Sequence, residues 1–341
     1  MKSSMFARTA LTASALLLLS ACGGSEGGGL SDAPDAGSGG GNADSSGECG
    51  GEGLTALTMA ETPGGPLSFV SYGLQQGHFE DEGIDLTLTP SPGGGTTSVP
   101  GLLQGEYDVM GLDMVSAITS IEAGLPLKMI SGGSSTSDEP DGDFSAVLVK
   151  PDSPIQSRED LQDVRMGVNA LGNVNELAIN DIIEENGSAE GAISPVELPF
   201  PEIIAAIGRG DVDAGILIEP FVTIGANQGL RVVDRPWVGI KPGLQIGTMV
   251  MTEEKIDECP EVAENFAAAV QTTADDIRED PESFRAALPS LIDLDPALAE
   301  EINLIQWRGA SDMESVELTG QLMAEYGLID EEIDYEDAVI G

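Results

Sequence analysis

Gly105-Glu106-Tyr107-Asp108, running into Val109-Met110-Gly111-Leu112-Asp113, returns about a hundred residues later as Gly210-Asp211-Val212-Asp213, running into Ala214-Gly215-Ile216-Leu217-Ile218-Glu219. Each copy follows an apolar stretch at helical spacing, Val99 to Leu103 and Ile203 to Ile207. A glycine closing a helix takes the left-handed conformation at little steric cost. A short apolar run bounded by turn residues then reads as a buried strand. Each predicted strand ends on an acid, Asp113 or Glu219. In open α/β sheets, ligands sit beyond the carboxyl ends of strands. The repeat therefore predicts two similar α/β lobes facing a shared cleft. Gly-acid-x-Asp is also a common turn, so the remaining sequence has to agree with that reading.

The N-terminus sets an expectation of location. Lys2 and Arg8 precede an apolar run, Ala10 to Ser20, too short to span a membrane as a mature helix. It ends in Leu19-Ser20-Ala21-Cys22, which resembles a bacterial lipobox. In that family the cysteine thiol takes a diacylglycerol and cleavage leaves it as the new N-terminus. The resemblance implies a signal peptide over 1–21 and lipidation of Cys22; an ordinary secretory signal with an incidental cysteine is the alternative. Acyl chains anchor at about 0.8 kcal/mol per buried methylene. Residues 22–53 are rich in Gly, Ser, Asp and Ala with almost nothing to bury, so they read as a flexible tether. The expected location is the extracytoplasmic face of the cell membrane, through the lipid anchor. With Cys22 lipidated, Cys49 and Cys259 remain, and an even number in an oxidising compartment invites a disulfide. Two free thiols are the alternative. No CxxC or Cys/His cluster occurs, so no metal site is expected.

The charge is extreme: 59 acids against 14 Lys and Arg, a net of -45. Cleavage before Cys22 removes Lys2 and Arg8 and no acid, which makes the chain more negative by two. Phosphate neutralisation needs basic clusters and none occurs, so nucleic acid is excluded as a partner. Acids spread along the chain, with scarce Lys, suit a salty environment.

Along the body, Leu54 to Met59 reads as a strand, followed by the loop Thr62-Pro63-Gly64-Gly65-Pro66. Leu67, Val70 and Leu74 mark a helix closed by Gly77, and Leu86 to Leu88 a second strand. Gly93-Gly94-Gly95-Thr96-Thr97 opens the next helix. Val115, Ile118 and Ile121 mark another, and Leu127 to Ile130 another strand. The order of "QGHFEDEGIDL", "LLQGEYDVMG", "EAGLPLKMISG", "LVKPDSPIQSREDL", "RMGV" and "IGRGDVDAGILIEP" resembles the substrate-binding proteins of ABC importers. It is most similar to their nitrate, sulfonate, taurine and thiamine-precursor binders, the SsuA/THI5-like group. The resemblance covers about Ala60 to Gly229 closely and the C-terminal part loosely. It implies an α/β, two-lobe, type II periplasmic-binding-protein-like fold with a hinge of two crossovers. Residues 54–150 plus 243–341 would form lobe one and 151–242 lobe two, with Ala146 to Lys150 carrying the chain out and Ile246 to Met251 returning it. Val262, Phe266, Val270 and Ile277 share one face of a helix in the tail.

Three loops stand at expected helix N-termini: Thr62-Pro63-Gly64, Gly95-Thr96-Thr97, and the stretch from Asn169 to Asn173. Helix N-termini offer unpaired N–H groups to anions or ligand carbonyls. Simple capping is the competing role for each. Gly93-Gly94-Gly95 is no nucleotide loop, since no Gly-Lys-Ser/Thr follows. Trp237 either faces the cleft or packs. The lone histidine, His78, is expected in an exposed turn, and no nucleophile–base pair is visible, so no enzyme activity and no cofactor are expected. The resemblance implies capture of a small molecule by hinge closure, near Lys150 and Gly243 to Gly247, and docking of a monomer on an ABC permease with its ATPase. A THI5-like enzyme acting on a pyrimidine precursor, or a ligand sensor, is the alternative. Asp113 and Glu219, one per lobe, would need donors or cations if unpaired in a closing cleft. That favours an aminopyrimidine or amine over nitrate or a sulfonate, unless the two acids merely cap the helices that follow them.

Overall fold

Two five-stranded sheets of the same strand plan organise the chain in the computed structural model, which describes residues 53–90, 95–187 and 192–340. These belong to the unit 45–341. The lipobox cysteine, the tether and Cys49 lie outside the described residues. Strand β1 (Thr55–Glu61) leads to helices α1 (Gly65–Gln76) and α2 (His78–Asp81) and then to β2 (Ile84–Pro90). A 3-10 turn, Gly95–Ser98, and α3 (Val99–Leu103) precede β3 (Val109–Asp113), α4 (Met114–Glu122) and β4 (Leu127–Ser131). The short β5 (Ser134–Ser135) leads out to the second sheet. There β6 (Ser145–Val149), β7 (Val164–Val168), α5 (Val174–Glu185), β8 (Ile193–Glu197), α6 (Phe200–Arg209), β9 (Ala214–Ile218), α7 (Phe221–Asn227), β10 (Arg231–Asp234) and α8 (Pro236–Ile240) follow. The chain returns as β11 (Gly247–Thr252) and finishes with α9 (Glu253–Glu258), α10 (Pro260–Glu279), α11 (Pro281–Leu291), α12 (Pro296–Glu301), β12 (Gln306–Trp307), α13 (Met313–Glu325) and α14 (Tyr335–Ala338).

The sheet orders are β2-β1-β3-β11-β4 and β8-β7-β9-β6-β10. In each, the first three strands are parallel and the fourth is antiparallel to both its neighbours. The repeated phrase occupies the third strand of each sheet, and it is the same device twice. Gly105 and Gly210 both take positive φ, 72° and 82°. Asp108 accepts the Thr58 N–H at 2.8 Å and Asp213 accepts the Arg165 N–H at 2.9 Å, so each fastens its strand to the neighbouring one. The expected tail helix is α10, with Val262, Phe266, Val270 and Ile277 all buried on one face.

The first crossover lies earlier than expected. Ser145–Val149 pairs along β9 and β10, so it is a core strand of lobe two and not the exit from lobe one near Lys150. The chain leaves lobe one between Ser134 and Phe144 and returns through Gly243–Ile246. These two passages pair with each other: Thr136 N–H donates to the Leu244 carbonyl (2.9 Å), Ile246 N–H to Ser134 (2.8 Å) and Gly243 N–H to Ser137 (3.0 Å). A third strand, β12, pairs with β5, and Arg308 just beyond it donates to Ser135 Oγ (3.0 Å) and to the Gly243 carbonyl (2.8 Å). His78 is not an exposed turn residue either. Its Nδ1 meets Thr273 Oγ1 at 3.0 Å and Nε2 stands 3.8 Å from Asp276, docking α2 on α10. Cys259, at the start of α10, is buried and disulfide-bonded, with its partner outside the described residues. No helix among the described residues is long and apolar enough to cross a membrane.

Candidate functional site

The strand ends β1, β3, β7 and β9 converge on a cavity of about 90 Å³. Lobe one contributes Glu61, Thr62, Asp113 and Trp307; the other side contributes Phe144, Asn169, Asn173, Phe200 and Trp237. The walls are aromatic, with Trp237 edge-on to Phe144 at 5.5 Å and Trp307 stacked on Phe69 at 4.4 Å. Among the described residues no Lys, Arg or His lines it.

Asp113 is a capping residue that reaches across the cleft. Its carboxylate accepts Ser116 N–H (3.1 Å) and Ser116 Oγ–H (2.6 Å), capping α4 in its own lobe. It also accepts Val174 N–H (3.1 Å), the first residue of α5 in lobe two. Burial pushes its carboxyl up against the pull of these donors. The next two N–H groups of α5 are also taken from within: Asn173 Oδ1 accepts Asn175 N–H (3.0 Å) and the Asn173 carbonyl accepts Glu176 N–H (2.9 Å). A helix N-terminus attracts anions through its free N–H groups and dipole. Here the protein's own carboxylate already takes that role at two helices.

Glu219 lies elsewhere. It is buried, accepts Thr223 N–H (3.0 Å) and Thr223 Oγ1–H (2.9 Å), and lines a separate hollow with Pro220, Phe284 and Asn303. Asp113 and Glu219 therefore line different hollows. Of the three loops, Thr62 lines the cavity, whereas Pro63 is exposed and Gly64 is the N-cap of α1, its carbonyl accepting Ser68 N–H at 3.1 Å. Gly95 opens the 3-10 turn; Thr96 and Thr97 are exposed and do not line the cavity. Asn169, Asn173 and Trp237 do line it.

Glu61 is the residue that sequence reasoning missed. It ends β1, is 4% exposed, and among the described residues is bonded only by Thr62, whose N–H donates at 2.6 Å and whose side chain also reaches it. No cation among the described residues pairs with it, and burial pushes its carboxyl up to about 7. Opposite stands Gly111, where an added Cβ would fall 1.9 Å from Glu61 Oε2. Only glycine on β3 leaves room for this acid. Glu61, like Asp113, is an acid closing an apolar strand, but it stands outside the repeated phrase. Phe144, Phe200 and Trp307 carried no local signal. Two buried donors, the indole N–H groups of Trp237 and Trp307, have no acceptor among the described residues.

A family model described as NMT1/THI5 like matches residues 68–284, more than half of the chain. The chain belongs to the NMT1/THI5-like family. No curated protein matches it. Among solved structures it is similar to the alkanesulfonate-binding protein SsuA of Xanthomonas axonopodis pv. citri bound to MOPS. That match has 16% identity and a TM-score of 0.71 over 85% of this chain and 99% of that one. It is similar also to the periplasmic aliphatic sulphonate binding protein SsuA of Escherichia coli, with 16% identity and a TM-score of 0.67 over 84% and 92%. A cysteine-to-serine mutant of DSZB in complex with biphenyl-2-sulfinic acid shares the fold at 15% identity and a TM-score of 0.58, over 83% and 96%. At these identities the likeness is one of fold, and it makes the two-lobe periplasmic-binding-protein architecture of the family the architecture of this chain.

Proposed function

We propose that the protein is the extracytoplasmic solute-binding component of an ABC importer, holding a small nitrogenous solute between its lobes. One observation carries this: an aromatic cavity, lined from both lobes at the carboxyl ends of both sheets, with no basic residue at its surface among those described. A solute that touches both lobes favours the closed state by its differential affinity for the two states. The movement would occur about the paired passages Ser134–Ser137 and Gly243–Ile246. No catalytic step is assigned. A sulfonate, as in the names of the fold relatives, is the competing ligand, and the two unpaired indole donors favour it. Against it stand the absence of a lining cation among the described residues and the occupation of two helix N-termini by Asp113. Nitrate and sulfonate recognition draws on charged donors.

Cys22 would carry the lipid anchor, residues 22–53 the tether, and a Cys49–Cys259 disulfide would pin the tether's end to α10. The tether keeps the search for a permease and its ATPase local. Mass spectrometry of solute released from protein purified without refolding identifies the ligand class. Calorimetry with aminopyrimidines and amines against nitrate and alkanesulfonates then ranks it, and tighter binding of the oxyanions overturns the nitrogenous reading. Membrane fractionation of Cys22→Ala tests the anchor: the variant is expected in the soluble fraction, and retention after a carbonate wash refutes lipidation.

A further inference from the structure

We infer that Glu61 is the residue that selects the ligand, and that the ligand it selects is a small planar cation presenting N–H groups, such as an amidinium or a protonated amino-heterocycle. This rests on the cavity being the solute site.

The contrast among buried acids decides it. Asp113 accepts three hydrogen bonds from the protein, Asp143 three and Glu219 three. Among the described residues Glu61 is bonded by Thr62 alone. A carboxylate offers about four acceptor sites, so about half of its capacity faces no donor from another part of the described chain. Leaving such a group buried and unpaired is costly, yet β3 carries Gly111 where any side chain would exclude it. Asp113 is the one other ionisable residue among those described that lines the cavity, and its charge adds to that of Glu61. From lobe two the facing groups are Asn169, Asn173, Phe200 and Trp237, none of which titrates near neutrality. The missing counter-charge therefore comes with the ligand. Aromatic faces attract planar cations, and the unpaired indole N–H groups suit an acceptor atom elsewhere on the same molecule.

Binding is then linked to a proton. The free site holds Glu61 largely protonated below about 7, and a cation displaces that proton to solvent as the carboxylate–cation pair forms. Full-length protein is titrated calorimetrically with benzamidinium and 4-aminopyridinium, and with benzamide and benzenesulfonate as neutral and anionic counterparts. The cations are expected to bind, and more weakly on acidification, by up to about tenfold per pH unit below neutrality. Up to about one proton should be released near pH 6, read from buffers of different ionisation enthalpy. Glu61→Gln should lose about tenfold or more in affinity and flatten the pH profile. Gly111→Ala, which displaces the same carboxylate by its added Cβ, should reproduce the loss should Glu61→Gln fold poorly.

Cation binding that Glu61→Gln leaves intact, or binding without proton release, overturns the assignment. Tighter binding of benzamide or benzenesulfonate, or no binding of either cation at about ten millimolar, overturns the ligand class. In the benzenesulfonate case the cleft still stands as a solute site if Trp237→Ala abolishes that binding. Loss of the assignment and loss of the proposed function are therefore told apart by Trp237→Ala.

Discussion

Glu61 makes stability itself a readout of the site. Its carboxyl ionises near 7 when folded and near 4.5 when exposed. Between those values the unfolded chain releases the proton first, so this residue lowers stability as pH rises and its contribution levels off above about 7. A shift of that size corresponds to about 3 kcal/mol. Glu61→Gln should accordingly gain stability over the wild type as pH rises from about 4.5 to 7.5, measured as the difference between urea midpoints at each pH. Equal pH profiles for the two proteins would show that the buried carboxyl is not raised. Asp113 is raised by burial as well, but it supports the fold through its contacts. Asp113→Ala removes a helix cap and the bond to Val174, and should cost about 1–2 kcal/mol. It should also widen the ligand-free molecule in solution scattering, because that bond crosses the cleft. The sequence showed both Asp113 and Glu219 as strand-ending acids, but not which of them faces the cavity. That depends on Thr223 folding back on Glu219 and on the packing of Asn303, contacts made across 84 residues of chain in the second case.

The repeated phrase was legible because every signal in it is local: a glycine in positive φ, a turn acid that fastens to the next strand, and a short apolar run. The same locality explains why Ala146 to Lys150, expected as the passage out of lobe one, is instead part of β6 and its end. Five buried apolar or small residues read as a strand wherever they lie, and membership of a sheet is decided by partners far along the chain. Moving that strand into lobe two turns the Ser134–Ser137 and Gly243–Ile246 passages into a paired ribbon that Arg308 clasps from β12. Arg308→Ala removes donors to Ser135 and Gly243 and should cost about 1–2 kcal/mol. Amide exchange should rise in both passages and stay unchanged in β3 and β9. Exchange that rises evenly across the sheets would mean that Arg308 supports the whole fold and not the ribbon.

Taken as one body, the protein carries 59 acids against 14 bases. Self-repulsion on that scale opposes compaction, and salt shortens its reach from about 10 Å at 0.1 M to about 3 Å at 1 M. The melting temperature should rise by several degrees, roughly 5 °C or more, between about 0.05 M and 1 M potassium chloride. A flat or falling trend would show that local ion pairs outweigh the net charge. The strand plan has a further consequence, for the order in which the molecule can be made. Lobe two is written without interruption from Ser145 to Asp234, whereas the sheet of lobe one keeps a gap between β3 and β4 that only Gly247–Thr252 fills. A nascent chain emerging from its N-terminus delivers β4 long before the strand that attaches it to the sheet. The lobe that begins first is therefore completed last. Any product truncated before Gly247 carries a finished second lobe beside a first one with two bare strand edges, a template for pairing with other chains.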